Sequence, residues 1–167
     1  CVELIATQKN TLKILGNHDE SFITGNYPGT HIVAKTFFDF CYPKFNQQQE
    51  LKSYLDEKTI NDFNCIHTLS NKRIYPDSEI ILDGNYLIGH SHHQFKTDSN
   101  GFTLYNCGSV GQNRKYINVI SYMVWFPLEK KFEFKNIIYD VDIVINKMQE
   151  EHYPQICIEY YANKERV

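Results

Sequence analysis

No apolar run in the 167-residue chain approaches the ~20 residues that a helix needs to cross a bilayer, and no signal peptide is recognisable. Cysteine is scarce and scattered: Cys1, Cys41, Cys65, Cys107 and Cys157 are odd in number and never form a Cys-x-x-Cys pair. That pattern argues against a disulfide framework and against a cysteine-rich structural zinc site, and it fits reduced thiols in a cytoplasmic protein. Positive charge is not in excess either. The formal net charge of −3 leaves no broad cationic field for general nucleic-acid binding. No repeat, low-complexity tract or Pro/Gly-rich linker divides the chain, so residues 1–167 read as a single domain with room for a real core. What the chain has in quantity is aromatic side chains, 12 Tyr and 11 Phe, which predicts an aromatic-rich interior.

The hydrophobic pattern mixes strands and helices. Residues 11–15, TLKIL, alternate and stop at Gly16, which predicts a short buried strand meeting a turn. Residues 46–58 are good helix formers with Leu51, Tyr54 and Leu55 on one face, and Thr59 reads as the N-cap of a further helical turn over 59–62. NYLIG (85–89) and GFTLYN (101–106) read as two more short strands. Residues 120–126 and 131–139, joined by a turn containing Pro127, predict an antiparallel hairpin with Phe132 and Phe134 facing the core and Glu133 and Lys135 facing water. Asp140 then caps a helix whose Val141, Val144, Ile145 and Met148 fall at helical spacing. The opening CVELIATQKN reads as the tail of a helix already under way, and the last fifteen or so residues, from Tyr153, are ambiguous.

Two polar bends sit just beyond apolar strands, where ligand groups collect in α/β sheets, and a third polar stretch follows them in the chain. LGNHDESF (15–22) places an amide, an imidazole and a carboxylate directly after Gly16. IGHSHHQF (88–95) carries three histidines; in extended backbone His90 and His92 share a side while His93 points away. Neutral imidazoles so placed suit Zn, Mn, Fe or Ni, although such histidines are as often hydrogen-bonded loop residues. Gln94 stands where a His-x-His-x-His nucleotidyl transferase pattern needs its third histidine. NCGSVGQNR (106–114) taken alone is a glycine-rich turn, with Gly108 and Gly111 allowing tight backbone and Asn106 and Ser109 able to pin loops.

Taken in this order, GNHDE, GHSHH and NCGSVGQNR resemble the calcineurin-like metallophosphoesterase superfamily, in particular its small bacterial phosphodiesterase and phosphatase branch, with Cys107 where that branch usually has proline. The resemblance implies a four-layer α-β-β-α sandwich of two mixed sheets flanked by helices. It also implies two divalent metal ions (Mn, Fe, Zn, Ni or Mg) and a small phosphoester substrate, such as a nucleotide. Asn17 and His90 would bind one metal and His92 the other. His18 would contact the phosphate and protonate the leaving oxygen, Asp19 would orient His18, and Gly16 and Gly89 would permit tight exits from their strands. An EYY-like tail (159–161) is similar to that of asymmetrical diadenosine tetraphosphate hydrolases. Phe22, Tyr27, Phe95 or Tyr116 could stack a base, core packing being the alternative. Homo-oligomerisation is left open.

The family's Asp-x-His and Gly-Asp signatures are absent, and so is its histidine-glycine pair: His31 and His67 are the only histidines between GNHDE and GHSHH, and neither precedes glycine. SNKRIYPDSEI (70–80) starts like the strand leading into that pair and then changes character. The chain therefore reads as lacking its N-terminal part and an active-site loop near 73–75. With Asn17, His90 and His92 alone the metal site is thin in ligands. That makes a catalytically inactive shell, kept as a binding or regulatory module, the competing reading.

Overall fold

In the protein's structure, a computed structural model, residues 2–167 are described and Cys1 lies outside them. The elements run α1 (Val2–Ala6), α2 (Asn17–Thr24), α3 (Ile32–Cys41), a single 3₁₀ turn (Tyr42–Lys44), α4 (Gln48–Leu51), β1 (Glu57–Ile60), β2 (Phe63–Ile66), β3 (Asn85–Ile88), β4 (Gln94–Ser99), β5 (Phe102–Cys107), β6 (Val119–Phe126), β7 (Lys131–Ile138), α5 (Val141–Glu150) and α6 (Gln155–Ala162). A five-stranded sheet has the order β1-β2-β3-β5-β4, and β6 and β7 form a second, two-stranded sheet. β2, β3 and β5 run parallel, with β1 and β4 antiparallel at the edges. The fold is thus mixed α/β with two sheets and flanking helices. The larger sheet is mixed, whereas the smaller is a purely antiparallel hairpin. Because the three central strands share a direction, the segments that leave them, 67 onward, 89 onward and 108 onward, emerge along one edge.

Strand alternation decides what each face of the large sheet meets. Phe63 and Tyr105 point at the hairpin, where ring centroids lie 5.0 Å (Phe63–Phe132), 4.9 Å (Tyr105–Phe132) and 4.3 Å (Trp125–Phe132) apart. Part of the aromatic content is therefore the joint between the two sheets, and part packs among the helices. The opposite face carries Ile88, Leu104 and Phe95, which bury Ile74 and Leu82 of the irregular 67–84 segment; Leu82 and Leu104 are wholly inaccessible. A third cluster, Ile117, Val141, Ile145, Met148, Cys157 and Ile158, holds α5 and α6 against Phe37 of α3. Asp140 caps α5 by accepting the Asp142 N–H at 3.0 Å, and α6 accounts for most of the C-terminal stretch that the pattern left ambiguous.

Local propensity loses to pairing in three places. Residues 11–15 form no strand: Ile14 makes one parallel bridge to Leu55, with Leu15 N donating to Leu55 O at 2.7 Å and Leu55 N to Lys13 O at 2.9 Å. That bridge pulls Leu55 out of the expected 46–58 helix, which shrinks to α4; Leu51 stays buried while Leu55 is 38% exposed. Thr59 is no N-cap. It lies in β1, donates to Asn64 Oδ1 across the hairpin at 2.8 Å, and precedes a two-residue loop in which Asn61 takes φ 53°, a left-handed conformation that asparagine tolerates. In β7 the alternation is only partly kept. Phe134 is 39% exposed, and among the described residues its one ring neighbour is Tyr105.

Candidate metal centre

Asn17 is the first residue of α2, and its placement depends on the turn before it. Gly16 has extended backbone, and its N–H donates to Asp19 Oδ2 at 2.8 Å, closing the first turn of the helix. A Cβ on Gly16 would stand 3.1 Å from the His67 ring, so the helix start and the end of β2 are in close contact. His67 follows β2 directly. Its carbonyl accepts the Gly89 N–H at 3.1 Å, tying the exits of β2 and β3 together. His90 and His92 both take φ 61°. They are therefore not in the extended geometry the sequence suggested, and this strained, sparsely populated backbone must be held by its surroundings. Asn106 supplies the hold. Fully buried, it donates to Gly89 O at 2.7 Å and Ser91 Oγ at 3.0 Å and accepts the Gly108 N–H at 3.0 Å.

These constraints bring three side-chain atoms together. Asn17 Oδ1 lies 2.8 Å from His67 Nε2 and 3.1 Å from His90 Nδ1, and the two ring nitrogens are 2.9 Å apart. Such a triangle cannot be satisfied by hydrogen bonds. An amide oxygen only accepts, an amide NH₂ only donates, and each ring nitrogen does one or the other in a given tautomer. Three mutually contacting atoms of that kind always leave one pair alike, either two lone pairs or two N–H groups facing each other. A cation accepting all three lone pairs removes the conflict. The imidazoles are suited to it: burial lowers the basicity of His67, and burial followed by His67 and Arg73 pushes His90 down to about 4, so both are neutral at pH 7.

The remaining residues surround this point unevenly. His92 does not join the triangle; its Nδ1 faces Gln112 O at 3.0 Å, and burial, then Arg114, pushes it down to about 4. His18 is exposed by surface area, yet the protein crowded around it lowers its basicity, with Asp19 acting in the opposite sense. Its ring leans on Tyr27 at 5.6 Å. Among the described residues no hydrogen bond joins Asp19 to His18; the Asp19 carboxyl, raised by burial, is turned to the Gly16 N–H instead. His93 points away, edge-on to Tyr75 at 5.6 Å. Phe95 is buried in the core, and Phe22 packs on Phe38 and Phe45 at 5.2 and 4.8 Å, so neither is free to stack a base.

The glycines differ in what they require. Gly108 has φ 84° and a Cβ there would fall 2.7 Å from Ser121 Cβ, whereas Gly89 and Gly111 face open space and the left-handed turn after β3 falls on His90. Ser109 Oγ accepts from Gln112 N at 3.0 Å, which fixes the carbonyl that His92 meets. Cys107, where the resembling branch usually has proline, ends β5, and burial pushes its thiol up to about 11.

His67 is the residue that motif matching passed over, because it is followed by threonine rather than glycine. Its position, one residue past an apolar run FNCI that pairs with NYLI, was the available signal. Among the described residues no group of three or more His, Cys, Asp or Glu is placed to hold a metal; the convergent set is two imidazoles and an amide, with no carboxylate.

A metallophosphoesterase from Sphaerobacter thermophilus superposes with a TM-score of 0.72 over 97% of this chain and 80% of its own, at 21% identity. The chain has the metallophosphoesterase fold. A hypothetical protein from Pyrococcus horikoshii matches with a TM-score of 0.71 over 96% of this chain and 75% of its own, at 14% identity. No protein-family profile matches the chain, and no curated protein does. Within the metallophosphoesterase fold, Asn17, His67 and His90 stand at the edge where the parallel strands end, the usual place for ligand groups. No helix among the described residues is long and apolar enough to cross a membrane.

Proposed function

We propose that the chain is a metal-dependent phosphoesterase that hydrolyses phosphodiester or phosphomonoester bonds of small, nucleotide-like substrates. The observation that carries this reading is the unsatisfiable triangle of Asn17 Oδ1, His67 Nε2 and His90 Nδ1, with sides of 2.8, 2.9 and 3.1 Å. Donors ~3 Å apart have the spacing of neighbouring ligands around one octahedral ion with bonds near ~2.1 Å, so the donor set fits a divalent cation. When bound, that cation supplies Lewis acidity toward a phosphate oxygen and makes water acidic enough to attack at neutral pH.

The chain's own residues do the rest. Asn17, His67 and His90 present neutral donors, and Asn106 keeps the His90 loop in its left-handed turn. His18, accessible and leaning on Tyr27, would hand a proton to the leaving oxygen. Arg73 and Arg114, both close enough to depress His18 and His90, attract the anionic substrate. His92 presents Nε2 on the side away from Gln112 and is the one donor these residues offer to a second cation. A dinuclear centre would need further ligands beside it.

One observation favours the competing reading, an inactive binding module: among the described residues no carboxylate joins the triangle, and Asp19, two residues after Asn17, closes the first turn of α2 instead. Turnover of bis-p-nitrophenyl phosphate and p-nitrophenyl phosphate with added manganese separates the two. The phosphoesterase reading expects chelator-sensitive hydrolysis of at least one ester. Tight manganese binding with no hydrolysis of either would leave the module.

A further inference from the structure

Two arginines overlook the histidine cluster without a counter-charge: among the described residues neither Arg73 nor Arg114 enters an ion pair. They are not equivalent. Arg114 Nη1 donates to Tyr160 OH of α6 at 2.8 Å, and the loop that carries it is fastened at several points. Asn113 Nδ2 donates to Ser121 Oγ at 2.7 Å, Asn113 Oδ1 accepts the Lys115 N–H at 2.9 Å, and Tyr161 OH donates to Gly111 O at 3.3 Å. Two residues before Arg114 in the same loop, the Gln112 carbonyl meets His92. The loop that carries Arg114 is thus fastened beside His92, and the guanidinium is oriented by Tyr160, with no other partner for its N–H groups among the described residues.

We propose that Arg114, held by Tyr160, binds a non-bridging oxygen of a substrate phosphate carrying two negative charges, making this a phosphomonoester site. This deepens the phosphoesterase reading and rests on it. The chemistry is one of oxygen count and charge. A phosphodiester offers two unesterified oxygens and one charge, whereas a phosphomonoester offers three oxygens and two charges. A fixed guanidinium added to a cluster that already takes phosphate oxygens rewards the extra oxygen and the extra charge. Its influence is felt across the site, since Arg114 lowers the basicity of His18, His90, His92 and His93. Arg73 is exposed, as Arg114 is, but among the described residues it makes no side-chain hydrogen bond and is not oriented in this way.

The test compares the full chain with Arg114→Gln, Arg114→Lys and Tyr160→Phe. In the manganese-loaded protein, the ratio of kcat/KM for p-nitrophenyl phosphate to that for bis-p-nitrophenyl phosphate should fall about tenfold in Arg114→Gln, with partial rescue by lysine. Titration with inorganic phosphate, followed calorimetrically, should show Kd raised about tenfold by Arg114→Gln and less by Tyr160→Phe. An unchanged phosphate Kd, or a parent chain that binds no phosphate, overturns the assignment of Arg114. Failure of the parent chain to hydrolyse either ester contradicts the phosphoesterase reading, while the phosphate titration still decides the arginine's role.

Discussion

Asn106 has no accessible surface, and its amide makes three hydrogen bonds that together fix the backbone on both sides of the His90 turn. Truncating it leaves the Gly108 N–H without a partner in the interior and the Gly89 carbonyl with only the Ser91 N–H, at 2.7 Å. Asn106→Ala should therefore cost about 2–4 kcal/mol in urea denaturation, and a loss under ~1 kcal/mol would show that water replaces the amide without penalty. The histidines make a second prediction at this scale. His90 and His92 sit near 4 when folded against an ordinary 6.5, so the folded state binds fewer protons than the unfolded chain between those values. By linkage, stability rises with pH across that window, is lost as pH falls from 6.5 toward 4, and gains nothing further above it. In metal-free protein the unfolding midpoint should fall over that range, and more gently in His92→Gln; identical slopes in the two proteins would contradict the lowered basicity.

Elements show where sequence pattern suffices and where it does not. The β6–β7 hairpin and α5 were legible because their signals are local: alternation across a Pro127 turn, and an Asp140 cap followed by apolar residues at helical spacing. The 46–58 stretch was not, because the Ile14–Leu55 bridge that ends the helix joins residues forty-one apart. His67 escaped for a related reason. Its partners Asn17 and His90 are 50 and 23 residues away; the parallel pairing of β2 with β3 brings His90 beside it, and the close contact of Gly16 with the His67 ring brings Asn17. The family resemblance implies that Asp19 orients His18; in the structure the carboxylate reaches back to the Gly16 N–H, as successive side chains on a helix point apart. Asp19→Ala should accordingly cost about 1 kcal/mol through loss of the cap. An effect on activity with no change in stability would instead support the orienting role. Phe132, the ring shared by Phe63, Tyr105 and Trp125, joins the two sheets; since it is only half-buried, Phe132→Ala should cost ~2–3 kcal/mol, at the low end for an aromatic truncation.

At the scale of the whole molecule, β2, β3 and β5 run parallel and end together, so the segments after them leave along one edge, where the start of α2 brings Asn17. The fold and its polar edge were readable from three short motifs, while the third donor of the cluster emerged only from their meeting in space. That donor is the centre of the account. Manganese binding, followed by electron paramagnetic resonance in the parent chain, in His67→Ala and in His31→Ala, tests it most directly. His31 is the other histidine of the same interval and lies exposed at the start of α3, so it serves as the control. The account predicts that the parent and His31→Ala bind manganese alike and that His67→Ala, still folded by circular dichroism, binds at least about tenfold more weakly. Parent-like binding by His67→Ala would contradict it.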